Sequence, residues 1–170
     1  MRVVDIPLEQ VLEHFAGRVG VDDSAADMRC LLVMPTDLVA LCTLLRDEAA
    51  LRFTFLSDIC GVDYFPDTPR FLLVYHLYSI PHKMRLRIKC QLEDPPVAPT
   101  LTPVWTTANW HEREAYDMYG IRFDGHPDLR RIYMWEGFDG YPMRRDFPLR
   151  GYKDDYNPMG AERPVEGSGS

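Results

Sequence analysis

Residues 84–92 alternate without a break: Met84, Leu86, Ile88, Cys90 and Leu92 on one side, Arg85, Arg87, Lys89 and Gln91 on the other. Successive side chains of a strand point to opposite faces. This period-two pattern therefore predicts a strand with one face on a core and one in water or against a polar partner. Residues 71–80, just before it, are apolar on both faces, as suits a strand covered on both sides. Pro81, His82 and Lys83 supply the turn, so the two strands are expected to pair antiparallel.

Helical spacing supplies the second layer. Leu8, Val11, Leu12 and Phe15 follow Pro7, which opens a helix after Asp5. Leu38, Leu41 and Leu45 follow Pro35 and Thr36 in a helix that fades by Ala49 or Ala50. Residues 29–34 read as a short buried strand, and residues 53–56 as another that leads into a turn at Ser57, Asp58, Ile59, Cys60 and Gly61. Residues 93–104 contain Pro95, Pro96, Pro99 and Pro103 and predict a stiff connector. A helix from about Thr107 to Tyr119 follows, closed by Gly120. Beyond Phe123 periodicity is lost, and Gly167, Ser168, Gly169 and Ser170 are expected to be disordered. The predicted class is α+β. A compact domain over residues 1–120, with an antiparallel or mixed sheet packed by helices, precedes an extended irregular C-terminal segment over residues 121–170.

Bulk properties exclude several functions. The formal charge of −7 argues against a general nucleic-acid binder. No apolar run approaches the ~20 residues of a membrane span, and the N-terminus lacks a signal-peptide core, which predicts a cytosolic chain unless a partner places it on a membrane. Cys30, Cys42, Cys60 and Cys90 form no C-x-x-C pair, so sequence-local zinc, iron–sulfur and redox motifs are missing. Core thiols are the expected role.

The charged helix invites catalytic readings that its spacing defeats. His111 and Glu112 would begin H-E-x-x-H, but the second histidine falls on Ala115. At about 100° per residue, Glu112 and Glu114 point about 160° apart and cannot share a site. Asp117 lies four residues beyond Arg113, which can neutralise it. Trp110, Arg113, Glu114 and Asp117 share an arc of about 100°, opposite Ala115 and Tyr119. That arc reads either as a solvated face or as a docking face, since Trp and Arg are favoured interface anchors. His126 reads as a satisfied turn histidine, and His76 and His82 sit on the hairpin and its turn.

Beyond that helix, Arg130, Arg131, Arg144, Arg145, Arg150 and Lys153 interleave with Tyr133, Trp135, Phe138, Tyr141, Phe147 and Tyr152. Cations beside aromatics can hold single-stranded nucleic acid. Asp128, Glu136, Asp139, Asp146, Asp154 and Asp155 run through the same stretch and would repel a phosphate backbone, so a mixed-charge protein interface is the better reading. A long irregular segment is unusual inside a compact monomer, and this one is expected to be held by another surface in preference to folding back on its own domain.

Over residues 112–133 the chain resembles the thirty-kilodalton (C-type) subunit of respiratory complex I. The resemblance rests on Glu112-Arg113-Glu114, Asp117, Met118-Tyr119, His126, Arg130 and Ile132-Tyr133, which match the family signature position by position. Leu56-Ser57-Asp58 with Gly61-Val62-Asp63-Tyr64, and Arg144-Arg145-Asp146-Phe147-Pro148-Leu149 with Gly151-Tyr152, extend it to roughly residues 53–156. One departure is Tyr141, where the family pattern expects His in Gly-His-Pro. The resemblance implies a non-catalytic structural subunit in the peripheral arm of a proton-translocating NADH:quinone oxidoreductase, on the cytoplasmic side of the inner membrane. It implies that this chain binds no cofactor, with FMN and iron–sulfur clusters in partner subunits. The partners would be chiefly the quinone-site (D-type) subunit and the cluster-bearing B-type and I-type subunits. Trp110, Glu112, Arg113, Glu114, Asp117, His126, Arg130, Arg131, Arg144, Arg145 and Asp146 are the expected interface residues, their charges forming inter-subunit or helix-to-tail ion pairs. A related complex using another donor, or a membrane-bound hydrogenase, is the alternative. A hydrolase using Glu114 or Asp117 is disfavoured by the carboxylate geometry.

Overall fold

The computed structural model describes residues 6–24 and 27–163. Asp5 and the terminal Gly167–Ser170 stretch lie outside the described residues. In chain order the elements are α1 (Glu9–Phe15), β1 (Val19–Val21), β2 (Arg29–Val33), α2 (Pro35–Asp47), β3 (Phe55–Asp63), β4 (Phe71–Ser79), β5 (Met84–Leu92), β6 (Val97–Pro99), α3 (Ala108–Tyr119) and β7 (Arg122–Asp124).

The hairpin sets the centre. β4 and β5 pair antiparallel from Phe71 opposite Leu92 to Ser79 opposite Met84. Around it the sheet runs β1-β2-β5-β4-β3, and the β2–β5 pair is parallel, so the sheet is mixed. Phe71, Leu73, Tyr75 and Leu77 of β4 and the five apolar residues of β5 bury one face against Leu38, Leu41, Cys42 and Leu45 of α2 and Val11 and Phe15 of α1. Truncating a fully buried leucine such as Leu41 to Ala costs about 2–5 kcal/mol at such a position. Leu72 and Val74 are buried on the opposite face, as a doubly covered strand requires. Cys30, Cys42 and Cys90 are buried thiols, whereas Cys60 is only half-buried.

Four local expectations are corrected. Helix α1 starts at Glu9, with Leu8 at its cap, not at Pro7. The turn expected at residues 57–61 is instead the middle of β3, where an irregularity between Leu56 and Asp58 takes up the extra residue. Gly61 sits mid-strand because a Cβ there would lie 2.6 Å from the Tyr119 ring, so the glycine makes room for α3. The proline-rich connector contains β6, which pairs in parallel with β7 across the whole of α3. Three-residue strands joined over such a distance leave no periodic trace in the sequence, and β1 escapes notice for the same want of length.

A candidate docking site on the third helix and C-terminal segment

Helix α3 is buried on two sides. Ala108, Glu112 and Ala115 turn toward the body, as the helical angles require. Glu112 is fully buried there. Thr100 Oγ1 donates to Glu112 Oε2 at 2.6 Å and the Leu101 N–H donates to Oε1 at 2.7 Å. His126 Nε2 lies 3.9 Å from Oε2. Burial pushes the Glu112 carboxyl up to about 7, against the pull of those two hydrogen bonds. Glu112 thus ties the end of β6 to α3, beside the turn after β7. Both of its oxygens are spent inside the chain.

The opposite side of α3 is covered by the chain's own C-terminal segment. Asp117 Oδ2 accepts the N–H groups of Ile132, Tyr133 and Met134 at 2.9, 2.6 and 3.0 Å, and Oδ1 accepts from Arg131 Nη1 at 2.9 Å. Burial works to raise the carboxyl, but the three N–H groups and the guanidinium together hold it below the usual carboxylate range. The partner of Asp117 is therefore Arg131, not Arg113. Arg113 is turned away, its guanidinium 4.8 Å from the Trp110 ring centre and its Nε donating to the Arg130 carbonyl at 3.2 Å.

Two more clasps follow. Met143 N–H donates to the Met118 carbonyl at 3.1 Å, and Arg144 Nε donates to the Tyr119 carbonyl at 2.7 Å while its guanidinium lies over Phe71 and Tyr141. Gly120, in the left-handed region at φ 73°, lets the Tyr141 ring close to 2.5 Å of where a Cβ would stand. At the end of β3, buried Asp63 accepts from Arg70 through both oxygens, from the Phe65 N–H and from the Arg145 N–H, each at 2.9 Å. Burial opposes ionisation of Asp63, yet these donors hold its carboxyl at about 2. Arg70 Nη2 reaches on to Asp146 Oδ1 at 2.8 Å.

The segment folds back on its own domain, the less favoured of the two expectations. The N–H groups of Ile132, Tyr133, Met134, Met143 and Arg145 and the side chains of Arg131 and Arg144 bond to the chain's own α3 and β3. Of the predicted residues, Asp117, Arg131, Arg144, Arg145, Asp146 and the backbone of Arg130 make helix-to-tail or strand-to-tail contacts. The Arg130 side chain is exposed and pairs with Asp128 at 3.0 Å, and Glu114 is exposed with the Tyr133 hydroxyl 3.4 Å away. His126 is satisfied in its turn by the Asn109 carbonyl and the Asp128 N–H. Asp63 and Arg70 were not anticipated, although Asp63 stands in the Gly61–Tyr64 stretch that carries the family likeness. Large apolar side chains are exposed here too: Trp110, Tyr133, Trp135, Met143, Leu149, Tyr156 and Met159 are 51–103% exposed, among charged neighbours such as Glu136, Asp139, Arg150 and Asp155 that are also exposed. Among the described residues, Asp58, Cys60 and His76 are the one group of three His, Cys, Asp or Glu near enough together to hold a metal.

Residues 31–153 match the family model described as respiratory-chain NADH dehydrogenase, 30 kDa subunit. The NADH-quinone oxidoreductase C subunit numbered 2 of Rhizobium meliloti is 60% identical over 159 residues, which cover 94% of this chain and 87% of that protein. The C subunit of Coxiella burnetii (strain RSA 493) is 38% identical over 85% of this chain and 78% of its own length. Among solved structures, a trypsin-resistant fragment of Nqo5 aligns with a TM-score of 0.61 at 34% identity, covering 72% of this chain and 98% of the fragment. A chain of a membrane-bound sulfane sulfur reductase aligns with a TM-score of 0.71 over 84% of each chain, but at 21% identity this is a likeness of fold alone.

Proposed function

This chain belongs to the respiratory-chain NADH dehydrogenase 30 kDa subunit family, and on that premise we propose that it is a non-catalytic structural subunit in the peripheral arm of a proton-translocating NADH-quinone oxidoreductase. The holoenzyme passes electrons from NADH through FMN and iron–sulfur clusters to quinone, and this chain holds none of those carriers. It sits on the cytoplasmic side of the inner membrane and fixes the quinone-site (D-type) subunit relative to the cluster-bearing B-type and I-type subunits. No helix among the described residues is long and apolar enough to cross a membrane, and in this reading membrane attachment runs through the partners.

One observation carries the proposal. The C-terminal segment is clasped to Asp117, Asp63 and the end of α3 through several of its backbone N–H groups and arginines, and it still leaves large apolar side chains exposed, which with Trp110 of α3 run from Trp110 to Met159 in the sequence. Isolated exposed apolar residues are ordinary, but seven on one helix and its attached segment, two of them tryptophan, form the sort of surface that partners cover. The segment is thus a rigid platform docked by its own chain and presented to another.

The test is purification of the chain through an N-terminal tag from membranes solubilised in mild detergent, with subunit composition and NADH-dependent quinone reduction read on one eluate. Recovery with a cluster-bearing assembly and that activity supports the proposal. A cluster-bearing assembly without NADH activity replaces it with a related complex using another donor, and a lone chain rejects it.

A further inference from the structure

The pairing of β3 with β4 brings three unlike donors together on the polar face of the sheet. Asp58 lies opposite His76 in the antiparallel register, and Cys60 follows two residues along β3, on the same face. Carboxylate oxygen, thiol sulfur and imidazole nitrogen all lie within 4.8 Å of one another. The Cys60 thiol donates to Asp58 Oδ2 at 2.9 Å, and Asp58 Oδ1 faces His111 Nδ1 of α3 at 3.5 Å. All four residues are half-buried, open to an ion yet partly shielded from water.

We propose that Asp58, Cys60 and His76, brought together by the β3–β4 register and joined by His111 from α3, bind a divalent cation of the zinc class. A sulfur, nitrogen and oxygen donor set suits a borderline-soft, four-coordinate ion, whereas magnesium and calcium take oxygen donors. Tetrahedral bonds of about 2.0–2.3 Å put neighbouring ligand atoms about 3.5 Å apart, so the donors of Asp58, Cys60 and His76, all within 4.8 Å of one another, need to close by no more than about 1 Å, while His111, outside that trio but 3.5 Å from Asp58 Oδ1, swings in by side-chain rotation. Coordination forms a sulfur–metal bond and breaks the S–H bond, and the proton leaves to solvent. In the free chain the thiol is held protonated by burial and by its hydrogen bond to Asp58. The bound ion would tie two strands to the first turn of α3, the helix that anchors the C-terminal segment. This site is independent of any docking role.

Arg87 sets the terms of binding. Its Nε donates to His76 Nε2 at 3.2 Å, while its Nη2 pairs with Asp27 at 3.0 Å. A metal on Nε2 would take the lone pair that Arg87 now uses. A metal on Nδ1 would leave the proton on Nε2, facing a group that can only donate. Either way Arg87 has to swing away toward Asp27, so it acts as a brake on the site. A glutamine at position 87 could instead accept the Nε2 proton, the arrangement that metal-bound histidines ordinarily have.

The experiment titrates the purified full-length chain with Co²⁺, a spectroscopic probe for zinc-type sites. One equivalent should bind with a thiolate-to-cobalt charge-transfer band and intense tetrahedral visible bands. The charge-transfer band should vanish in Cys60→Ala and persist in Cys30→Ala, with folding followed by circular dichroism. Arg87→Gln should tighten binding about tenfold. No charge-transfer band in the folded wild-type chain, or a band that survives Cys60→Ala, would overturn the proposal. An affinity unchanged or weakened in Arg87→Gln would overturn the place of His76 in it.

Discussion

Asp117 gathers four donors on two oxygens, three of them backbone N–H groups of the segment it holds. Replacing it with Ala leaves those N–H groups and the Arg131 guanidinium without their acceptor, a loss of about 3–5 kcal/mol for a buried charged partner. Asp117→Ala should therefore lower the urea midpoint and open residues beyond 128 to limited proteolysis. Wild-type resistance would dismiss the clasp. Glu112 behaves in the opposite sense to the buried aspartates. Its folded pKa of about 7 lies above the ordinary 4.5, so its contribution is fully present below pH 4.5 and is lost as pH rises through 7, about 3 kcal/mol in all. Asp63, held at about 2 against an ordinary 3.8, contributes above pH 3.8 and loses that contribution as pH falls toward 2. The two windows do not overlap. Chemical denaturation at pH 5 and pH 7 should thus show stability falling across that interval in the wild type, and a flatter profile in Glu112→Gln.

Helix α3 joins two surfaces that the sequence renders very unequally. The β4–β5 hairpin is legible because alternation of period two has one meaning over nine residues. The helical angles of α3 likewise separate its inward Ala115 from its outward Trp110. What the sequence hides is where the second face of α3 goes. An aspartate four residues from an arginine looks locally paired, yet Asp117 takes Arg131, fourteen positions away, because the segment's N–H groups bring that arginine with them. Gly61 misleads in a similar way, reading as a turn when it is a gap left in a strand for the Tyr119 ring. The metal-type cluster is hidden for a related reason, since its three donors meet only through strand register. Gly61→Ala puts a Cβ into that ring and should cost about 1–3 kcal/mol by overpacking. The loss should shrink when Tyr119 is shortened to Ser in the same chain, as a double-mutant denaturation cycle would reveal. Additive losses would mean that the contact does not couple strand to helix.

Taken as one body, the chain is an α+β domain that wears its own C-terminal segment as an outer layer. Backbone N–H groups and arginines of that layer clasp the body, while six of its large apolar side chains stay exposed among charged ones. Its likeness to the family is carried by the acids, arginines and glycines that build the inward clasp, which is why the family is readable from residues with so little periodicity. The exposed apolar side chains are only partly accounted for by packing within this chain, such as Trp135 against Phe138 and Tyr156. Leu149 and Tyr156, at 103% and 87% exposure, bury little surface in the isolated chain, Tyr156 meeting only the Trp135 ring among the aromatic contacts of the described residues. The direct measurement is the assembled fraction of a chain carrying Leu149→Ser with Tyr156→Ser, recovered from solubilised membranes and set beside the urea midpoint of the same purified chain. A wild-type midpoint with recovery of the partner subunits reduced about tenfold or more is the expected result for interface anchors. Undiminished recovery of the assembly would contradict the claim that this outward face is what the partners hold.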